Sequence, residues 1–123
     1  MELKIAVIPG DGIGVDVIQE AVRVLDQVGQ VFGHKFHYEH RLVGGCCIDA
    51  HGVPIEDETL KVCEGCDAIL FGAAGGPKWD HLPRKDRPES GLAALRRTFN
   101  LFCNLRPAKI YEDIRDNSPL KNE

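Results

Sequence analysis

The sequence has few of the features that mark membrane-bound, secreted or nucleic-acid-binding proteins. No apolar run approaches the roughly 18 residues that a membrane-spanning helix needs, so we expect no membrane partner. Lysine and arginine number 15 against 19 acidic residues, a net charge of −4 that disfavours nucleic acid as a partner. Met1–Lys4 leads straight into an apolar run without a basic leader. We therefore expect a cytoplasmic protein.

The cysteines do not form the even set of a disulfide-bonded scaffold, because there are five of them. Free thiols in a reducing compartment fit better. Cys63 and Cys66 have the CxxC spacing of metal and redox sites. A zinc site would need a second pair or histidines at ligand spacing, and none accompanies them. We interpret the two cysteines as buried or loop thiols.

The pattern of apolar residues predicts an α/β fold. A chain of 123 residues with 43% apolar and 28% charged residues is typical of one globular domain. Short apolar runs alternate with segments of helical periodicity, which predicts a mostly parallel sheet with covering helices. Residues 113–123 are polar and without pattern, so we expect residues 1–123 to be the incomplete N-terminal part of a domain. The predicted strands are 4–8, 35–42, 67–72 and 105–111, and the predicted helices are 15–28, 54–64 and 91–102.

A glycine-rich turn, Gly10–Gly14, lies between the first strand and the first helix. A helix that begins after such a turn can bind phosphate. The spacing here is GxGxG, however, and it does not meet the GxGxxG dinucleotide fingerprint. Asp11 is placed to cap the helix with its carboxylate, which would compete with a phosphate. We favour a tight structural turn that lines a cleft, and a phosphate cradle is the alternative.

The segment Gly72–Asp80 leaves the carboxyl end of the third strand, where open α/β sheets bind their ligands. Its glycines let a ligand approach the backbone closely. Lys78 can meet an anion, and Trp79 can stack on a ligand or fill a pocket. The alternative is a flexible surface loop.

Two arginines and a leucine form a third candidate site. Leu92 and Arg96 are four residues apart and share a face of the predicted helix. Arg106 follows the helix in an extended position before Pro107. Two converging arginines can hold carboxylates in bidentate fashion, with the leucine as an apolar contact beside them. The alternative is that the arginines are solvated or paired with surface acids.

The chain resembles the 3-isopropylmalate dehydrogenase family in three segments: IPGDGIG at 8–14, FGAAGGPKWDHLPRKDRPESGLAALRR at 71–97 and NLRPAKIY at 104–111. This family belongs to the β-decarboxylating dehydrogenases, with the isocitrate, tartrate/malate and homoisocitrate dehydrogenases. The resemblance covers the N-terminal third of a family enzyme and implies the corresponding incomplete part of its fold. It also implies an NAD-dependent oxidation of (2R,3S)-3-isopropylmalate, followed by decarboxylation to 2-oxoisocaproate in leucine biosynthesis.

The resemblance implies roles for particular residues. Arg96 and Arg106 match the arginines that hold the substrate's carboxylates. Leu92 matches the apolar residue that meets the isopropyl group, where isocitrate dehydrogenases have a serine. Glu89 matches an acid near the nicotinamide ring, and Ile13 matches a position beside the cofactor. The remaining cofactor-binding residues implied in the matching 76–89 loop are Gly76, Pro77, Lys78, Trp79, Asp80 and Arg87.

The resemblance also implies groups that this chain does not supply. The family uses Mg²⁺ or Mn²⁺, whose aspartate ligands match positions beyond Glu123, and no aspartate here matches one. The third substrate arginine and the catalytic tyrosine and lysine also lie beyond Glu123, the lysine and a metal ligand being supplied across a homodimer. We therefore expect the chain to be inactive alone. The alternatives are a relative that acts on D-malate or tartrate, a non-catalytic remnant or binding fragment, and a nucleotide-binding module.

Overall fold

The computed structural model describes residues 1–117 and residue 119. In this part of the chain a parallel sheet of three strands has the order β2–β1–β3, and helices cover it. The predicted α/β class with a parallel sheet is therefore confirmed. The strands are β1 (Glu2–Gly10), β2 (Lys35–His40) and β3 (Ala68–Ala73), and the α-helices are α1 (Gly14–Phe32), α2 (Gly45–His51), α3 (Asp57–Glu64) and α4 (Glu89–Thr98). Short 3-10 helices span Pro77–Trp79, Arg84–Asp86 and Glu112–Asn117.

The central strand, β1, contributes to two hydrophobic layers. Ile5 and Val7 point to one face, where they pack with Ile18 of α1. Ala6 and Ile8 point to the other face, because successive side chains of a strand alternate. A parallel sheet is normally covered on both faces, which is why β1 reads as a continuous apolar run. The second layer also contains Val43, Cys63 and Leu95.

The pairing register brings the carboxyl ends of β1 and β3 together. The two strands run parallel, with Ile5 opposite Ala68 and Gly10 opposite Ala73. The glycine turn after β1 and the loop after β3 therefore begin side by side at one edge of the sheet. We call residues 74–88 the β3–α4 loop.

The helices follow the predicted periodicity, with changes at their ends. Helix α1 extends past the predicted end to Phe32, and Gly33 terminates it in a left-handed conformation with a φ of 68°. Helix α3 begins at Asp57 rather than Pro54. A separate helix, α2, occupies Gly45–His51, where the sequence indicated only a loop or helix entry. Within the described residues, no helix is both long and apolar enough to cross a membrane.

The predicted strand at 105–111 is wrong. Residues 101–111 have no regular secondary structure, and all of them are exposed. Helix α4 ends at Thr98 rather than near Phe102, which is itself fully exposed. A strand needs a neighbour for its backbone N–H and C=O groups, and the sheet of the described residues offers this segment none. Pro107 in addition has no N–H to donate.

Candidate functional site

The site begins where the glycine turn meets the end of β3. The backbone N–H of Asp11 donates to the carbonyl of Ala73 at 2.8 Å. Gly10 has a φ of 72°, and a Cβ at this position would overlap that same carbonyl oxygen. Only glycine adopts this positive φ without strain and also leaves the space beside the Ala73 carbonyl free. The sequence predicted the turn and the loop after β3 as separate candidates, and the structure joins them.

The carboxylate of Asp11 is the centre of this junction. It is 4% exposed. Its Oδ2 accepts hydrogen bonds from the backbone N–H groups of Gly45 at 2.7 Å and Gly75 at 2.9 Å. Its Oδ1 accepts one from Cys46 at 2.7 Å. One buried side chain thus ties the turn after β1 to the start of α2 and to the β3–α4 loop.

The prediction that Asp11 caps α1 is wrong. Ile13 precedes α1, and no side chain caps that helix. Asp11 instead satisfies the free N–H groups at the start of α2, a helix 34 residues further along the chain. Within the turn itself, the N–H groups of Gly14 and Val15 donate to the carbonyls of Asp11 and Gly12 at 2.9 and 3.4 Å, so they already have partners other than a phosphate. The arrangement favours the structural interpretation of the turn over a phosphate cradle.

Lys78 and Trp79 of the β3–α4 loop are both bound to Asp49 of α2. Lys78 Nζ lies 2.6 Å from Asp49 Oδ2, and Trp79 Nε1 donates to Asp49 Oδ1 at 3.2 Å. The Lys78 ammonium also lies 5.2 Å from the centroid of the Trp79 ring. The hydrogen bond from Lys78 lowers the pKa of Asp49, and the bond from Trp79 lowers it further. The loop therefore has a definite attachment to α2, which disfavours the alternative of a flexible surface loop.

Arg87 fixes the later part of the β3–α4 loop. Its Nε donates to the carbonyl of Leu82 at 2.9 Å, and its Nη2 donates to the carbonyl of Asp80. The N–H donors of a guanidinium have a rigid planar arrangement, so one arginine can donate to two backbone carbonyls at fixed positions. The hydrogen bonds of Arg87 thus support the loop backbone.

Glu89 and Ile13 lie at this edge of the sheet with exposed side chains. Glu89 is the first residue of α4, and Ile13 is 67% exposed. Gly75 has a φ of 111°, and a Cβ there would lie 2.5 Å from Glu89 Oε1. The acid therefore stands directly over the start of the β3–α4 loop, where a side chain at position 75 would displace it.

A cavity of about 560 Å³ lies between the β3–α4 loop and α4. Four basic side chains line it, against one acid. Sequence reasoning named Arg87 and Glu89 but missed the other basic residues. The dense charge of the 83–87 segment was the available signal. The charged residues of the lining are Arg84, Lys85, Arg87, Glu89 and Arg97.

The three residues predicted to bind substrate lie on two segments. Leu92 is half-buried and Arg96 is exposed, and both belong to α4. Arg106 is exposed in the irregular segment 101–111. The structure thus places two of the three on one helix. Among the described residues, no hydrogen bond or ion pair joins Arg106 to the other two.

The cysteine pair of the CxxC motif lies beside the core. Cys63 is 3% exposed, and Cys66 Sγ donates to the carbonyl of Val62 at 3.2 Å. Burial raises the pKa of the Cys63 thiol, and burial likewise raises the pKa of Cys47 to about 11. A raised thiol pKa disfavours the thiolate that metal binding and redox chemistry need. The described residues contain no cluster of three or more histidine, cysteine or acidic side chains suited to a metal ion.

Comparison with known proteins decides the family. A model of the isocitrate/isopropylmalate dehydrogenase family matches residues 4–123. The chain belongs to this family. The resemblance seen in the three sequence segments is thereby confirmed over nearly the whole chain.

Curated members of the family are similar to the entire chain. The 3-isopropylmalate dehydrogenase of Halalkalibacterium halodurans is 54% identical over 123 residues, which are 100% of this chain and 34% of that protein. The 3-isopropylmalate dehydrogenase of Clostridium acetobutylicum is 52% identical over 122 residues, 99% of this chain and 34% of that protein. This chain spans about a third of the length of these relatives and matches their N-terminal part.

Solved structures of the family share the fold. The β-decarboxylating dehydrogenase of Thermococcus kodakarensis superposes with a TM-score of 0.65 and 36% identity, over 80% of this chain and 27% of that one. The isocitrate dehydrogenase of Methylococcus capsulatus superposes with a TM-score of 0.66 and 26% identity, over 81% of this chain and 26% of that one. The parallel sheet and its helices are thus a part of a larger family fold.

Proposed function

We propose that this chain forms the N-terminal part of an NAD-dependent 3-isopropylmalate dehydrogenase. The reaction is the oxidation of the 2-hydroxyl of (2R,3S)-3-isopropylmalate followed by loss of CO₂, which gives 2-oxoisocaproate in leucine biosynthesis. The observation that carries the proposal is the identity of 52–54% to curated 3-isopropylmalate dehydrogenases along the whole chain. We further propose that the enzyme acts in the cytoplasm as a homodimer.

The β3–α4 loop and the glycine turn have the properties of a cofactor-side surface. They lie at the carboxyl edge of the parallel sheet, where ligands of open α/β sheets bind. Gly75 and Gly76 are half-buried, and Ile13 and Glu89, at the same edge of the sheet, are exposed. NAD, when bound, would accept the hydride on its nicotinamide ring. In this proposal the surface that holds its nicotinamide end consists of Ile13, Gly76, Pro77, Lys78, Trp79, Asp80, Arg87 and Glu89.

Arg96 and Arg106 would bind the two carboxylates of the malate core, and Leu92 would contact the isopropyl group. Guanidinium groups suit this role because they pair with carboxylates through two parallel hydrogen bonds. Leu92 lies one turn before Arg96 on α4, so an alkyl substituent and a carboxylate of one small molecule can meet both side chains. A leucine at this place favours an alkyl-substituted malate over a tricarboxylate.

The described residues do not fit the Mg²⁺ or Mn²⁺ ion that the family implies. They contain no cluster of three or more acidic, histidine or cysteine side chains that could hold it. Magnesium is normally bound by carboxylates together with water and substrate oxygens. We therefore assign no step of the reaction to a metal bound by the described part of this chain.

A fusion enzyme tests the proposal. This chain replaces the matching N-terminal third of the Clostridium acetobutylicum enzyme, and NADH formation is measured with Mg²⁺ and 3-isopropylmalate, D-malate or isocitrate. The chain alone and the fusion enzyme carrying Arg96→Ala serve as controls. We expect turnover of 3-isopropylmalate by the fusion enzyme only. A folded, dimeric fusion enzyme that preferred D-malate would refute the substrate, and one inactive on all three substrates would refute the function.

A further inference from the structure

We propose that Asp49 is a positioning residue, which holds Lys78 and Trp79 against α2 and thereby sets the conformation of the β3–α4 loop for the cofactor. The inference rests on the proposed function of that loop. The resemblance assigned roles to Lys78 and Trp79 but none to Asp49. Asp49 would act through the loop and would not touch the substrate.

The first support is that both oxygens of one carboxylate are used on consecutive loop residues. Oδ2 pairs with Lys78 at 2.6 Å, and Oδ1 accepts the indole N–H of Trp79 at 3.2 Å. A single exposed ion pair contributes little, because water competes for both partners. Here one carboxylate fixes a cation and an aromatic ring together, and the cation also lies over that ring. The three interactions constrain the two side chains jointly.

The second support is the shape of α2 beneath the ring. Gly45 and Asp49 are four residues apart, so they lie on one face of the helix. Trp79 packs so closely on Gly45 that a Cβ there would overlap the ring. The absence of a side chain at Gly45 therefore leaves room for the indole on the surface of α2, and Asp49, one turn later, accepts the indole N–H.

The third support is that the same helix is fixed at its start. Asp11 accepts hydrogen bonds from Gly45 at the start of α2 and from Gly75 in the loop. The loop is thus attached at Gly75 through Asp11 and at residues 78 and 79 through Asp49. The backbone between these attachments, at Gly76 and Pro77, belongs to the proposed cofactor surface. The position of that backbone follows from the two carboxylates.

The first test reads the loop directly and needs no activity. Trp79 is the only tryptophan of the chain, so the fluorescence of this chain reports the surroundings of that side chain alone. In Asp49→Ala we expect emission at longer wavelength, stronger quenching by acrylamide, and faster trypsin cleavage after Lys78, by about three- to tenfold. Asp49→Asn keeps an acceptor for the indole and should give a smaller change.

Two further variants control the fluorescence test. Gly45→Ala should displace the ring while leaving Asp49 intact, and so should reproduce the spectral shift. Glu20→Gln breaks an exposed ion pair with Arg23 on α1 and should leave the spectrum unchanged. If Asp49→Ala had the wild-type spectrum and cleavage rate, the positioning role would be refuted.

The second test asks whether the positioned loop serves the cofactor. In the fusion enzyme, Asp49→Ala should raise KM for NAD about three- to tenfold, with little change in KM for 3-isopropylmalate. A loosened loop with an unchanged KM for NAD would overturn the proposal and leave Asp49 a structural residue. An inactive fusion enzyme would refute the proposed function instead, and fluorescence would still decide whether Asp49 holds the loop.

Discussion

Replacement of Asp11 by asparagine should destabilise the protein strongly, although the two side chains have nearly the same shape. The carboxylate accepts three backbone hydrogen bonds, two on Oδ2 and one on Oδ1. Asparagine has one oxygen, so its NH₂ group must face at least one backbone N–H. In the better orientation, the N–H groups of Gly45 and Gly75 keep an acceptor and that of Cys46 meets a donor.

The magnitude follows from the burial of this group. Hydrogen bonds to a charged acceptor contribute about 1.5–3 kcal/mol each, and a buried donor left without a partner costs about 1–3 kcal/mol. Asp11 is 4% exposed, so water does not readily replace the lost acceptor. We expect Asp11→Asn to lower the free energy of unfolding by about 2–4 kcal/mol, and Asp11→Ala by at least as much. That is a large part of the about 5–15 kcal/mol that stabilises a typical domain.

Urea denaturation followed by circular dichroism measures this effect, and the midpoint should fall while the slope stays constant. Glu64→Gln, at an exposed acid at the end of α3, is the matched control. It should change stability by no more than about 0.5 kcal/mol. If Asp11→Asn behaved like this control, the three hydrogen bonds would not stabilise the fold, and the structural interpretation of the glycine turn would be wrong.

The remaining predictions concern the residues proposed to bind the substrate and the pH dependence of stability that Tyr38 contributes. Arg96 and Arg106 together form the proposed carboxylate clamp. In the fusion enzyme, Arg96→Ala and Arg106→Ala should each remove about 2–4 kcal/mol of transition-state stabilisation, measured as a lower kcat/KM, and near-normal values would count against the clamp. Leu92→Ser should reduce the preference for 3-isopropylmalate over D-malate, and an unchanged ratio would separate this residue from specificity. Burial and the hydrogen bond to Asp26 raise the pKa of Tyr38 to about 12, so the neutral phenol stabilises the folded state fully below pH 10 and this contribution is lost as the pH rises through about 12. Alkaline denaturation of Tyr38→Phe should lack that loss, and an unchanged pH dependence would contradict the assignment.

Much of the fold could be predicted because its signals are local. The apolar run at Lys4–Ile8 marks a strand buried on two faces, and β1 is the central strand with a hydrophobic layer on each side. The helical spacing from Val15 to Val28 marks α1, whose buried side chains face the sheet. Such periodicities reflect which face of an element is buried, and one residue's neighbours along the chain suffice to reveal them.

The role of Asp11 could not be predicted in this way. Its position before a helix indicates a local cap, and the local interpretation is wrong. Its partners lie 34, 35 and 64 residues away. The pairing of β1 with β2 brings the first two near, and the pairing of β1 with β3 brings the third. The attachment of Trp79 to Asp49 is of the same kind, since 30 residues separate them. Contacts between loops at one edge of a sheet depend on strand order, which no local pattern specifies.

In segment 101–111 the local sequence pattern predicts a strand that does not form. The residue types are typical of a strand, but no neighbouring strand or apolar surface accompanies them in the described part of the chain. Preference for a strand measures how well side chains pack on a half-buried, pleated surface. Phe102 and Leu105 are 101% and 83% exposed, so no such surface meets them in the described part of the chain. Arg106 lies in this segment, and its convergence with Arg96 therefore depends on how the segment packs. The predicted clamp thus requires more than two arginines at a suitable spacing: it requires a surface that holds residues 101–111 beside α4. For this reason, loss of activity in Arg106→Ala would support both the clamp and an ordered position for this segment in the fusion enzyme.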